Sequence, residues 1–411
     1  MTIDVAKLKD SKQFLNMVLE NMDAAIFVVD ENLKIFQFND SFLTLFNPGF
    51  NDISQMTFGP ASGCINAVKE NRPCGETSHC NRCIFRQSLK HVLSQCVPNE
   101  RQALEREFYI NGEPVQKYLE FTCRPIEYDG HRMILAFIYD VTKIELSKRQ
   151  LREKQQQIDI DLEKAGEIQR SLLPERKPDI PMLDVEWFFQ PSHKVGGDVF
   201  HIYRESDEVA SAYMLDVSGH GVSAALVAVM VKQFLDHLHI KGLRNGQPYQ
   251  PRAVLKLLDQ QFPFERFDSY LTIISLLLNV RTGQLIYGCA GHVPPVIIRQ
   301  NGDIDVLSHH GGIIGIGQNA NPQQYDVFLS PRDKLVLYTD GLVDYFGKKG
   351  EVSNIDSFYK TLQSLGTQSV AQMVKQVVSH RHVKGGGAPA DDISLLVLEY
   401  SDRDATLGDR D

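Results

Sequence analysis

A polar, proline-free segment at residues 141–172 divides this chain into two regions and so limits what it can fold into. Apolar residues recur within the segment at intervals of seven: Ile144, Leu151, Ile158, Ala165 and Leu172. Such spacing is typical of a helix that pairs in a coiled coil. The companion positions are Lys148, Gln155, Leu162 and Gln169, mostly polar, so the alternative is a solvated connector helix. We interpret the segment as a marginal parallel coiled coil, which predicts a homodimer.

The region before this segment, residues 1–140, shows a helix, two short strands, a helix-rich middle and three longer strands. Tight-turn dipeptides begin at Asn111 and Asp129, between the last three strands, as in β-hairpins. This order resembles that of a PAS sensor domain. The resemblance implies an α+β domain that responds to a small-molecule or redox signal.

The region after the segment, residues 173–400, contains six strand-like apolar runs and three helical stretches. The predicted strands are Val209–Leu215, Leu271–Asn279, Gln284–Cys289, Pro295–Arg299, Lys334–Tyr338 and Ile393–Glu399, and the predicted helices are Gly221–His239, Arg252–Gln261 and Val370–Ser379. A hairpin signal at Arg281–Gly283 favours antiparallel pairing, so we expect an α/β sandwich of antiparallel sheets flanked by helices. The polar tail, residues 401–411, is expected to be disordered. The predicted fold class of the whole chain is α+β.

Composition limits the function classes. Lys and Arg total 43 against 52 Asp and Glu, a formal charge of -9, which argues against general nucleic-acid binding. The longest apolar stretch, Val222–Val231, is too short to span a membrane, and residues 1–4 do not resemble a signal peptide. We therefore expect a cytoplasmic protein without a membrane segment. Its seven cysteines should be reduced, metal-bound or redox-active.

Four aspartates in the second region stand at predicted strand ends or tight turns, three of them near glycine: Asp198, Asp216, Asp340 and Asp391. Taken singly, each is explained by an ordinary turn. Together, carboxylates on close-approach turns suit Mg²⁺ or Mn²⁺, which prefer oxygen ligands. Two such ions can activate water for in-line attack at phosphorus.

Six motifs carry a family resemblance: Ile168–Pro174, Gly196–Asp198, Asp216–Gly221, Ala290–Pro295, Tyr338–Leu342 and Asp391–Ser394. In this order, they resemble the metal-dependent protein phosphatase (PPM, protein phosphatase 2C-like) family. The match is to its bacterial branch of sporulation stage II protein E and sigma-factor regulatory phosphatases. The resemblance implies hydrolysis of phosphoserine or phosphothreonine, with a phosphorylated anti-sigma-factor antagonist as the expected partner.

The resemblance also implies a ligand set. By position, Asp216 would bridge two Mn²⁺ or Mg²⁺ ions, Asp340 and Asp391 would complete one site, and Asp198 with the Val217 carbonyl would hold the other. The family often has an acidic residue where this chain has His201. The alternative is a degenerate domain that binds a partner without catalysis, which a metal-dependent phosphatase assay would separate. We interpret His220 and His292 as structural residues rather than as the chemical acid.

Four cysteines of the first region lie within twenty residues, the last two as C-x-x-C: Cys64, Cys74, Cys80 and Cys83. Four thiolates can hold Zn²⁺ or an iron–sulfur cluster, and neighbouring Gly and Pro indicate a loop. The alternatives are buried small hydrophobes or redox-sensing thiols. Three further cysteines are expected to pack in the interior: Cys96, Cys123 and Cys289.

The same segment also fits the tyrosine phosphatase pattern H-C-x5-R, at His79–Arg86. That chemistry needs a thiolate cradled by backbone amides. The intervening residues contain no glycine and include Ile84 and Phe85, so we predict that Cys80 is not a phosphatase nucleophile.

Overall fold

The computed structural model describes residues 12–47, 49, 52–175, 178–317, 321–344, 346, 354–382 and 389–401. The chain forms two compact units, Met1–Gln156 and Gln157–Asp411. All but the first residue of the tail expected to be disordered, residues 401–411, lies outside the described part.

The first unit contains one antiparallel five-stranded sheet in the order β2-β1-β5-β4-β3. Its strands are β1 Ala25–Val29, β2 Ile35–Phe38, β3 Gln102–Ile110, β4 Glu113–Tyr128 and β5 His131–Asp140. The expected hairpin turns lie between β3, β4 and β5, where Asn111 and Asp129 adopt positive φ angles of 54° and 51°. The sequence prediction of this sheet is confirmed, although the long strands extend beyond their predicted ends.

Helices surround this sheet and bury an aromatic core against it. They are α1 Lys12–Glu20, α2 Asp40–Phe46, α3 Phe58–Ser62, α4 Ile65–Glu70 and α5 Ile84–Gln95. The rings of Phe27, Phe58 and Phe85 pack together, with centroids 4.4 to 6.2 Å apart. Within the segment that carries the cysteines, residues 71–79 form the predicted loop, between α4 and a 3-10 turn at Cys80–Arg82.

The segment between the two sequence regions is helix α6, Thr142–Ser171, as predicted. The apolar residues Ile144, Leu151 and Ile158 are exposed on it. Pairing of this helix with a second copy stays a prediction.

The second unit contains two five-stranded sheets, in the orders β13-β10-β9-β8-β7 and β12-β11-β14-β15-β6. All strand pairs are antiparallel. The strands are β6 Leu183–Gln190, β7 Val199–Arg204, β8 Val209–Val217, β9 Leu271–Asn279, β10 Gln284–Ala290, β11 Val296–Ile298, β12 Ile304–Val306, β13 Tyr325–Phe328, β14 Lys334–Tyr338 and β15 Ile393–Tyr400.

Helices cover both outer faces of these sheets. They are α7 Val222–Asn245, α8 Pro251–Gln261, α9 Phe264–Phe267, α10 Asp340–Val343, α11 Asn354–Ser364 and α12 Val370–His382. One core lies between the sheets, where residues such as Phe200, Leu276 and Leu396 are buried together. Two further cores lie beneath the helices of each face. The predicted sandwich of antiparallel sheets flanked by helices is confirmed.

Candidate metal centre

The predicted ligands come from the ends of neighbouring strands in both sheets. Asp198 precedes β7, and Asp216 is the penultimate residue of β8, which pairs with β7 through Val199 and Leu215. Asp340 begins α10 directly after β14, and Asp391 precedes β15, the neighbour of β14. Asp216 thus lies at the end of its strand, where it pairs with Thr272.

Two hydrogen bonds link the sheets at Asp198. Its Oδ2 accepts from Thr339 Oγ1 at 2.8 Å and from Ser394 Oγ at 2.7 Å, both on the second sheet's strand ends. The residue is 1% exposed. Burial, and then the negative charges of Asp216 and Asp392, hold the pKa of Asp198 well above its usual range.

The other carboxyls repel one another in the same way. Burial raises the pKa of Asp216 to about 7, and the carboxyls of Asp340, Asp391 and Asp392 add to the shift. Partial desolvation also raises the pKa of Asp391, which Asp340 increases further and His220 partly offsets.

The negative charges of these carboxylates indicate whether metal ions fit the site. Among the described residues, no lysine or arginine forms an ion pair with any of these carboxylates. Shielded carboxylates without a basic partner are unfavourable unless they are protonated or bind cations. Oxygen donors with excess negative charge fit Mg²⁺ or Mn²⁺.

Asp392 is the carboxylate that sequence reasoning missed. It is 5% exposed, and its Oδ2 accepts the Gly197 N–H at 2.6 Å. Its Oδ1 accepts the backbone N–H and the hydroxyl of Ser192 at 2.7 and 3.0 Å. A Cβ on Gly196 would overlap this carboxylate. Asp392 therefore holds the loop before Asp198 against β15. The two adjacent aspartates, Asp391 and Asp392, were the sequence signal that could have identified it.

The Val217 carbonyl lies beside the glycine loop, in the region where the resemblance places it. A Cβ on Gly197 would lie 2.7 Å from the Val217 oxygen and 3.5 Å from Asp216 Oδ1. Only glycine lets the loop approach the end of β8 this closely.

Gln169 near the end of α6 also contacts this loop. Its Nε2 donates to the Gly196 carbonyl at 2.7 Å, and its Oε1 accepts the Gly196 N–H at 3.0 Å. The residue is 4% exposed. The interpretation of Gln169 as a coiled-coil seam position is therefore wrong, because its side chain is buried against the loop.

The two histidines of the motifs lie in different surroundings. His292 is buried, with Nδ1 2.9 Å from Thr272 Oγ1, and burial lowers the pKa of His292 to about 4. It is therefore neutral at pH 7 and has no proton to donate as an imidazolium. His220 is exposed and stacks on His193, with ring centroids 5.0 Å apart.

The four clustered cysteines line one cavity of the first unit. Cys64 and Cys83 are buried and belong to the core, whereas Cys74 and Cys80 are only partly buried, so the predicted loop describes part of this segment. No three His, Cys, Asp or Glu side chains of the described ranges converge closely enough to hold an ion as they stand, at the cysteines and the carboxylates alike. The cysteines differ from the carboxylates because arginines contact their sulfurs. The Zn²⁺ or iron–sulfur hypothesis thus gains no support from the geometry.

The remaining sequence expectations on cysteines are partly correct. Cys123 and Cys289 are buried, and burial raises their pKa values to about 12 and about 11. Cys96 is exposed at the end of α5, so its expected burial is wrong. Residues 84–86 of the tyrosine phosphatase pattern form the first turn of α5 instead of an anion-binding loop, which agrees with its rejection.

Comparisons with known proteins match both units. The family model described as "Stage II sporulation protein E (SpoIIE)" matches residues 206–401, and a PAS domain model matches residues 13–78. Phosphoserine phosphatase RsbU of Bacillus subtilis is 28% identical over 251 residues, 60% of this chain and 72% of RsbU. Phosphoserine phosphatase RsbP of the same organism is 26% identical over 189 residues, 45% of each chain.

A solved structure shares the fold of the second unit. The SiaA-PP2C domain of Pseudomonas aeruginosa superposes with a TM-score of 0.53 at 22% identity, and the match covers 60% of this chain and 99% of that domain.

Among the described helices, none combines the length and apolarity that crossing a bilayer needs.

Proposed function

We propose that this chain is a metal-dependent protein serine/threonine phosphatase, on the premise that residues 206–401, which match the SpoIIE family model, form its phosphatase domain. The observation that carries the proposal is the group of mutually repelling carboxylates at Asp198, Asp216, Asp340 and Asp391, of which Asp198 is buried, and which lack a basic ion-pair partner among the described residues. Such a group favours cation binding over any role in packing.

The proposed ligand assignment follows the arrangement of the strands. Asp216 interacts with Asp198 and with the pair Asp340 and Asp391, so it suits the place between two ions. Both side-chain hydrogen bonds to the Asp198 carboxylate reach Oδ2, so Oδ1 and the Val217 carbonyl would be the oxygen donors for the second ion. Bound Mn²⁺ or Mg²⁺ would lower the pKa of a coordinated water and neutralise charge on a phosphoryl group.

We propose that the substrate is a phosphoserine on a small regulatory protein of the anti-sigma-factor antagonist type. Two relatives with 28% and 26% identity are named phosphoserine phosphatases, which supports this substrate class. The exposed positions of His220, Asp340 and Asp391 support access by a protein substrate rather than by a small buried metabolite.

Regulation is proposed to run through α6. Its exposed apolar residues Ile144, Leu151 and Ile158 suit pairing with a second copy, and its Gln169 holds the loop that carries Asp198. A signal bound by the PAS domain would bias the arrangement of paired helices and thereby the position of this loop.

The second candidate function is binding of a partner without catalysis. The presence of every carboxylate in the proposed ligand set favours the enzyme. Hydrolysis of a phosphoserine peptide by the full-length chain, with Mn²⁺ and with EDTA, separates the two. We expect activity with Mn²⁺, its loss with EDTA, and a loss of at least about a hundredfold in Asp216→Asn, since an amide cannot bridge two cations.

The matched control is Asp326→Asn, on the exposed face of edge strand β13. Isothermal titration with Mn²⁺ gives a second readout: binding should be weakened in Asp216→Asn and unchanged in Asp326→Asn. Full activity and unchanged Mn²⁺ binding in Asp216→Asn would defeat the assignment.

A further inference from the structure

The cavity of the first unit brings four thiols and two guanidinium groups together. It is lined by Cys64, Cys74, Cys80, Cys83, Arg86 and Arg106, with apolar side chains around them. This site is independent of the phosphatase chemistry proposed above, and the established features of a PAS sheet do not require it.

Arg106 contacts sulfur instead of a carboxylate. Its Nη1 donates to Cys83 Sγ at 3.3 Å and to Cys64 Sγ at 3.6 Å. No described Asp or Glu forms an ion pair with Arg106. A guanidinium group stays charged in proteins, so Arg106 places a positive charge beside these two sulfurs.

Cys80 is less buried than Cys64 and Cys83, and two polar groups contact its sulfur. The Gly75 N–H donates to its Sγ at 3.0 Å, and Thr77 Oγ1 lies 2.9 Å from the same atom. Burial acts to raise the pKa of the Cys80 thiol, but these hydrogen bonds and the charge of Arg86 outweigh it and bring the pKa below its usual range. A partly exposed thiolate with these donors is the kind of sulfur that reacts with peroxides.

Cys80 and Cys83 lie at the two ends of one tight turn. The Cys83 N–H donates to the Cys80 carbonyl at 3.2 Å and closes a 3-10 turn over Cys80–Arg82. A closed turn of four residues keeps its end Cα atoms within about 7 Å, close to the span that a disulfide bridges. Cys83 also immediately precedes α5 and is buried.

We propose that Cys80 and Cys83 form a peroxide-sensitive dithiol, in which Cys80 is the attacking and Cys83 the resolving thiol. The Cys80 thiolate attacks a hydroperoxide: an S–O bond forms, the O–O bond breaks, and the released alkoxide takes a proton and leaves as an alcohol. The Cys83 thiolate then attacks the Cys80 sulfur, an S–S bond forms, and hydroxide leaves and is protonated to water. Two thiols are oxidised, and one hydroperoxide is reduced to alcohol and water.

Oxidation converts the Cys83 sulfur that Arg106 contacts into a disulfide sulfur, which leaves Cys64 as the free thiol in contact with that guanidinium group. Because Arg106 lies on β3 and Cys83 begins α5, the reaction changes a contact between the sheet and a helix of the sensor core. The oxidant therefore acts on the packing of this unit and not on an isolated surface thiol.

The test uses the full-length protein, reduced and then treated with hydrogen peroxide or cumene hydroperoxide. Peptide mapping without reductant should find a Cys80–Cys83 disulfide. Dimedone, which labels sulfenic acid, should label Cys80 in the Cys83→Ser variant. The Cys80→Ser variant should not be labelled. The matched control is Cys96→Ser, at an exposed thiol on the same helix, which should form the disulfide as the wild type does. We expect Cys80 to react at least about tenfold faster than Cys96, because its thiolate is stabilised.

Three results would overturn the proposal. They are a wild-type disulfide that joins other cysteines, dimedone labelling of Cys96 in preference to Cys80, and zinc or iron that copurifies with the four thiols and protects them from oxidation. Because the mapping is done on the wild-type chain, a variant that fails to fold does not remove the test. Loss of phosphatase activity has no bearing on these readouts, so failure of this proposal and of the proposed function can be distinguished.

Discussion

The side-chain amide of Gln169 forms two hydrogen bonds with the backbone of Gly196, through both its nitrogen and its oxygen. Gly196 is also the residue whose missing Cβ leaves room for the Asp392 carboxylate. The end of helix α6 and the candidate metal loop are thus joined by one buried contact, and a movement of the helix would act on the loop directly.

Replacement of Gln169 by Leu should remove the hydrogen bonds to Gly196 while helix α6 still forms. The change leaves the buried Gly196 N–H and carbonyl without their partner, which costs about 1–3 kcal/mol for each group. We expect a lower free energy of unfolding and weaker Mn²⁺ binding, measured by urea denaturation and titration calorimetry. Gln156→Leu, on an exposed position of the same helix, is the control. Equal Mn²⁺ affinity in the two variants would contradict the link between α6 and the site.

Ala substitution at Asp392 should lower the stability of the metal-free protein more than Ala substitution at Asp391. Asp392→Ala leaves the buried Gly197 and Ser192 N–H groups unpaired, so we expect a metal-free protein that is less stable by a few kcal/mol. Asp391→Ala removes an exposed, repulsive carboxyl together with one hydrogen bond from the Asp392 N–H, so the metal-free protein should lose less stability, while Mn²⁺-dependent activity is lost. Thermal unfolding in EDTA, with activity assayed separately, checks both. Equal loss of stability in the two variants would contradict the assignment of Asp392 as a residue that positions the loop and of Asp391 as a metal ligand.

His201 should make the protein less stable in acid. Burial lowers the pKa of His201 to about 4, below its ordinary value of 6.5, so the unfolded chain binds more protons between these pH values. Stability is therefore present above pH 6.5 and falls as the pH is lowered towards 4, by about 2 kcal/mol between pH 7 and 5 for this group.

The measurement is urea denaturation of wild type and His201→Phe at pH 7 and pH 5 in EDTA. Other titrating groups, including the metal-site carboxyls, are common to both proteins and cancel in the comparison. We expect the pH-dependent loss of stability to be smaller in His201→Phe. An identical loss in the two proteins would show that His201 is protonated in the folded state.

Association through α6 should depend on its exposed apolar residues. Lysine at Leu151 and Ile158 places like charges on the proposed seam, so the double variant should be monomeric where the wild type is dimeric. Light scattering after gel filtration measures this, with Gln156→Lys as the control for added charge. A wild-type chain that is monomeric at every concentration tested would remove the dimer from the proposed regulation.

The sequence by itself determined the sheets and the main acidic positions. Strands such as Leu271–Asn279 and Lys334–Tyr338 were predicted to the residue, because their continuous apolar runs are buried on both faces. It missed β6, Leu183–Gln190, where Asp184 and Glu186 interrupt the apolar pattern of a strand that is only partly buried. Such a strand is held by its pairing with β15 rather than by its own sequence.

The tertiary structure alone decided which polar groups act together. Asp392 reaches Gly197 across 195 residues of sequence, and Gln169 reaches Gly196 from a helix that the heptad pattern assigned to a different interface. The burial of Cys83 beside Arg106 likewise depends on how α5 packs on the sheet. A local pattern specifies backbone conformation and the buried face, but hydrogen bonds between distant residues depend on strand register and on the packing of helices against sheets.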